Sequence, residues 1–173
     1  MEYFYLAIKD IFRNRHLYNK EAVKALDKSN FYKELIIFGA GELGHKVYDI
    51  LKDGGMRVSR FCDNLLCGRT DEATGLEIAA LKDLEPNREN IFVLIAVFDD
   101  KIYEVVYRQL LDFGYKKEQL INAKNMADVY PVSYLKQNFE KYQEVYSLLE
   151  DDFSKKVYIS MIQKAYLNCN DCN

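Results

Sequence analysis

Residues 35–44 read LIIFGAGELG, and the reading of this decamer decides the fold. Leu35-Ile36-Ile37-Phe38 is an unbroken apolar run, which suits a strand buried on both faces. The run stops at Gly39 and continues as Gly39-Ala40-Gly41-Glu42-Leu43-Gly44, the pattern G-x-G-x-x-G. Each glycine has a physical task in such a turn. Gly39 permits the sharp strand-to-helix reversal, Gly41 lets a phosphate approach the backbone, and Gly44 lets the helix pack closely on the sheet. From Gly44 the spacing becomes helical, with Val47, Ile50 and Leu51 on one side and Gly54-Gly55 as the stop.

Outward from this nucleus the strand and helix periods alternate. Val58 to Cys62 is predicted as a second strand and Leu76 to Ala79 as a short third one. A brief helix over Leu81–Leu84 and a turn at Pro86-Asn87 follow. Ile91 to Ala96 is the clearest strand, Asp99 or Asp100 caps a helix that runs to Phe113, and Gly114 stops it. Leu120-Ile121 closes the series. Apolar strands alternating with helices imply an α/β domain with a parallel sheet covered on both faces. Right-handed crossovers give a Rossmann-like strand order of 3-2-1-4-5. This core is expected over residues 32–124, with an N-terminal helical segment at 1–31 and a helical connector, a hairpin, at 125–173.

Asp63 stands 22 residues after Gly41, at the end of the second strand. A dinucleotide site places there the carboxylate that accepts ribose hydroxyls. The candidate ligand contacts are therefore Gly39, Gly41, Glu42, Leu43 and Gly44 in the turn, Asp63 and Asn64 after strand two, and Phe98 after strand four. Free amides and the positive end of the helix dipole would face an anion there. Glu42 fits only if its carboxylate turns to solvent, since it repels a phosphate. The competing reading is structural: the same glycines serve to pack the first helix on the first strand, and Asp63-Asn64 is an ordinary turn dipeptide.

Other chemistry is thinly represented. His45 lies in the first helical turn with no evident partner, and His16 falls in a charged stretch. Cys62 and Cys67, with the C-x-x-C of Cys169 and Cys172, are read as free thiols rather than a metal or redox site. No catalytic residue and no metal ligand is assigned, for the sequence holds no P-loop, nucleophile elbow or H-E-x-x-H. The net charge of −3 argues against general nucleic-acid binding, and no apolar run is long enough for a membrane span. The N-terminus is too charged for a secretory signal, so a cytoplasmic location is expected.

The segments IIFGAGELGHKVYDILKDGG, RFCDN and NIFVLIAVFDDKIYEVVYRQLLDFGYKKEQLIN resemble the Rossmann-like domain that precedes the catalytic domain in many bacterial FkbM-type methyltransferases. FEKYQEVYSLLEDDFSKKVYISMIQKAYLN resembles the helical connector between those two domains. The resemblance implies a nucleotide-like crevice at Gly39, Gly41, Gly44 and Asp63. It places S-adenosylmethionine in a downstream catalytic domain whose acidic, glycine-rich motif does not occur before Asn173. The chain is thus expected to be part of such a protein and not itself catalytic. The expected ligand is a NAD-like dinucleotide, a nucleotide-sugar or S-adenosylmethionine. Two alternatives are a vestigial core serving as an interaction module and a small NAD-dependent oxidoreductase. The last lacks a second domain to supply an acid or base.

The C-terminal segment carries apolar stripes at helical spacing: Leu135, Phe139, Tyr142, Tyr146 and Leu149 on a first helix. The next helix has two, Phe153-Val157-Met161-Ala165 and Tyr158-Ile162-Tyr166. One stripe is left for a second copy in a homodimer or for the N-terminal helix with Phe4, Ile8 and Phe12.

Overall fold

The computed structural model describes residues 2–18, 27–128, 130 and 132–167, with side chains omitted at 13–18, 127, 128 and 167. The side chain of His16, the apolar positions Ala22, Val23 and Leu26, Pro131, and Cys169 and Cys172 lie outside the described residues. Two compact units make up the chain, Glu21–Ala127 and Met1–Lys20 with Asp128–Asn173.

The unit Glu21–Ala127 is a Rossmann-like α/β fold. Its strands are β1 (Glu34–Phe38), β2 (Arg60–Cys62), β3 (Arg69–Thr70), β4 (Glu77–Ala79), β5 (Ile91–Ile95) and β6 (Leu120–Asn122). They form one sheet in the order β3-β4-β2-β1-β5-β6. Every pairing is parallel except β3 with β4. The five parallel strands alone follow the expected 3-2-1-4-5. The antiparallel edge strand β3 is an addition that the sequence did not announce. It is two residues long and exposed, so it carries no apolar period to read.

The register shows why β1 and β5 are unbroken apolar runs. Ile36 pairs with Val93 and Phe38 with Ile95, and alternate residues go to opposite faces. Leu35, Ile37, Phe92 and Leu94 pack under Leu43, Val47 and Leu51 of helix α2 (Glu42–Asp53). Ile36, Phe38, Val93 and Ile95 pack under Val106 and Leu110 of helix α3 (Asp100–Asp112), with Leu81 and Leu84 beside them. Leu81 and Leu84 belong to a 3-10 stretch that runs through Leu81–Asn90 and takes in Pro86 and Asn87, where a separate helix and turn were expected.

Both main helices end as their glycines dictate. At the end of α2 the N–H of Gly55 (φ +80°) donates to Lys52 and that of Met56 to Leu51. At the end of α3 the N–H of Gly114 (φ +96°) donates to Leu111 and that of Tyr115 to Leu110. These paired bonds satisfy last-turn carbonyls and require a left-handed residue, which glycine adopts without strain.

The other unit is helical: α1 (Glu2–Tyr18), α4 (Val132–Gln137), α5 (Phe139–Leu148) and α6 (Asp152–Leu167). The stripe expected on one helix is divided between α4 and α5 at Asn138. There the side-chain amide donates to the Tyr134 carbonyl and competes with the helical ladder. Phe4, Ile8 and Ile11 of α1 are buried in one cluster with Leu135, Tyr146, Ile159, Ile162 and Tyr166. The N-terminal helix thus covers the Ile162-Tyr166 stripe from within the chain. Phe153, Val157 and Met161 remain exposed. Among the described residues, no helix is long and apolar enough to cross a membrane.

Candidate functional site

The carboxyl ends of β1, β2 and β5 converge on the glycine turn. Gly39 sits at φ +108°, and a Cβ there would stand 2.5 Å from the Ala96 carbonyl oxygen after β5. Gly44, buried in the first turn of α2, has even less room, since a Cβ would overlap the Gly39 carbonyl oxygen. Packing therefore accounts for the first and third glycines of the motif. Gly41 differs. Its φ of −91° is open to any residue, and a Cβ would meet nothing within 4 Å. The fold does not require a glycine at position 41.

Gly41 is also the N-cap of α2, with no side chain to accept from the helix start. The first rung of the ladder runs from His45 N–H to the Gly41 carbonyl, so the amides of Glu42, Leu43 and Gly44 precede it. The Glu42 side chain is exposed, as the anion reading needs, whereas Leu43 is a core residue and offers only its backbone.

Asp63 is brought to the turn, but its oxygens are occupied. Oδ2 accepts from Ala40 N–H at 3.0 Å, and Oδ1 accepts from the N–H groups of Leu65 (2.8 Å) and Leu66 (3.0 Å). The carboxylate clamps the glycine turn to the end of β2. Asn64 is tied to α3 by a reciprocal amide pair with Gln109, at 2.9 and 3.3 Å. Phe98, 55% exposed, stands two residues beyond Ala96 at the same edge. Next to it Asp99 caps α3, accepting from Lys101 and Ile102 N–H, while Asp100 pairs with Lys124 at 2.7 Å.

His45 does have a partner, contrary to its lone appearance in the sequence. Its Nε2 lies 2.8 Å from Asp71 Oδ1, and the imidazole meets the Phe61 ring edge-on at 5.7 Å. Asp71 is buried, and its Oδ2 accepts from both the N–H and the hydroxyl of Thr74. Burial pushes this carboxyl up, but the Thr74 and His45 hydrogen bonds outweigh it and hold it below the usual range. The two residues are 26 apart, and neither period nor motif links them. The one signal was the polar stretch Asp71–Gly75, which has the composition of a tight turn.

Cys62 is fully buried beneath the site, and burial pushes its thiol up to about 12. It is a core residue held as a thiol. Among the described residues, no three His, Cys, Asp or Glu side chains form a group able to hold a metal ion.

Neither the known protein-family models nor the curated proteins contain a match to this chain. One solved structure is similar, the crystal structure of methyltransferase FkbM from Methylobacillus flagellatus KT. The two share 12% identity at a TM-score of 0.47, over 99% of this chain and 49% of that one. The chain therefore spans about half the length of that protein.

Proposed function

We propose that the glycine turn binds the phosphate of a nucleotide-type ligand and that this chain is a non-catalytic binding domain of a methyltransferase acting on a glycan or metabolite. The observation that carries the ligand reading is Gly41. Its neighbours in the motif are required by packing or by positive φ, whereas position 41 is free of both constraints. A glycine that the fold does not need, placed at a helix start, leaves open ground for an anion. Asp63 holds the turn in shape, and the exposed Phe98 offers a ring on which a base can stack. The link to methyl transfer rests on the resemblance of residues 31–168 to the FkbM-type domain and connector.

The interaction-module reading has one observation in its favour. The Ala40 N–H, a natural phosphate donor, is already taken by Asp63. A thermal-shift panel of NAD, nucleotide-sugars and S-adenosylmethionine separates the two readings. A ligand at 100 times its Kd stabilises by about 2.7 kcal/mol, a shift of several degrees. Gly41→Ser tests the place of binding, because serine is a good N-cap and fits the existing φ. The variant is expected to melt no lower than the parent and to lose the ligand shift. If no member of the panel moves the melting temperature of the parent, the interaction module is the correct reading.

A further inference from the structure

The outer face of α6 is apolar and uncovered, with Phe153 76%, Val157 42% and Met161 64% exposed. These residues recur every four positions and so form one stripe. The helix cannot roll to hide them, because Ile159, Ile162 and Tyr166 on its inner side are buried against α1, α4 and α5.

Read along this face, the sequence is symmetric about Val157. Phe153 lies four residues before it and Met161 four after. Ser154 lies three before and Ser160 three after. Glu150, just ahead of the helix, lies seven before, and Lys164 in the last turn lies seven after. Apolar answers apolar, small polar answers small polar, and acid answers base. A surface of that kind is complementary to itself when turned end for end, which is what a two-fold interface demands. A parallel pairing would instead set Glu150 against Glu150 and Lys164 against Lys164.

We propose that a second copy of this chain covers this face, with α6 packed antiparallel on α6 about a two-fold axis at Val157. Val157 then meets its own counterpart, and Phe153 meets Met161 of the second copy twice, a sulfur–aromatic contact of favourable chemistry. Glu150 and Lys164 close the rim at both ends.

Sedimentation of the full chain over low to high micromolar concentrations tests this. The expected result is a rise from 20.3 kDa toward twice that mass. Val157→Asp opposes two carboxylates at the axis and is expected to weaken association at least about tenfold. Glu150→Lys and Lys164→Glu are each expected to weaken it about two- to fivefold, and the double variant to restore it. All three positions are exposed, and circular dichroism checks that the helices persist. A monomer at every concentration overturns the proposal and leaves the stripe to another partner. Association untouched by Val157→Asp, or a double variant no better than the singles, overturns it equally.

Discussion

Asp63 shows how one side chain can look like a ligand contact and act as a clamp. Its position after β2 is where a dinucleotide site puts the ribose acceptor, yet its two oxygens already receive three backbone N–H groups. Asn at this position keeps one carbonyl oxygen and turns an NH₂ toward at least one of those donors. Asp63→Asn is therefore expected to lower stability by about 1–3 kcal/mol, the cost of a mismatched part-buried donor. Denaturant midpoints measure it. Under the clamp assignment the variant keeps whatever preference the parent has between a ribonucleotide and its 2′-deoxy counterpart. A lost preference with unchanged stability would reverse the assignment and make Asp63 a ribose ligand. The glycines divide by the same kind of argument: Gly39 and Gly44 are demanded by neighbouring carbonyl oxygens, and Gly41 is not.

At the level of elements, what could be read from the sequence was what local chemistry encodes. β1 and β5 are apolar throughout because both of their faces are covered, and α2 and α3 end at left-handed glycines. A cap at Asp99 or Asp100 was legible, and it is Asp99 whose carboxylate bonds the N–H groups two and three residues ahead. The edge strand β3 was not legible, since it is two exposed residues without an apolar period, paired with β4 across a short antiparallel hairpin. Its anchor is Asp71, which gathers the Thr74 turn and reaches α2 at His45. This anchor has a pH signature. The Asp71 carboxyl lies below its usual value when folded, so its ionised form stabilises the fold above the unfolded value. That contribution is lost as pH falls through the folded value, below about pH 4. Asp49, one helical turn along α2, also faces the imidazole, with Lys52 and Asp53 beyond it. The parent is expected to exceed Asp71→Asn in denaturant midpoint at about pH 5, with the gap closing toward about pH 3. A gap that stays constant over that range would remove Asp71 as the anchor.

On the scale of the whole molecule, each unit has its own apolar cluster, and the candidate site belongs to Glu21–Ala127. Three groups near the turn are tied into the fold. Cys62 is buried and held as a thiol, His45 is bonded to Asp71, and Asp63 is bonded to the backbone. Methyl transfer needs a sulfonium carbon and an acceptor atom held in line at about 3–3.5 Å, with the acceptor's proton removed. On the proposed reading, binding at the turn supplies one partner of that encounter and leaves removal of the proton to chemistry carried out elsewhere. The purified chain is therefore expected to transfer no methyl group from labelled S-adenosylmethionine to any acceptor extract, even where a thermal shift shows that a nucleotide binds. The paired readout keeps the two assignments separate. Binding without turnover supports a domain that serves chemistry carried out elsewhere, and labelled product from this chain alone would place the chemistry here and overturn the non-catalytic reading.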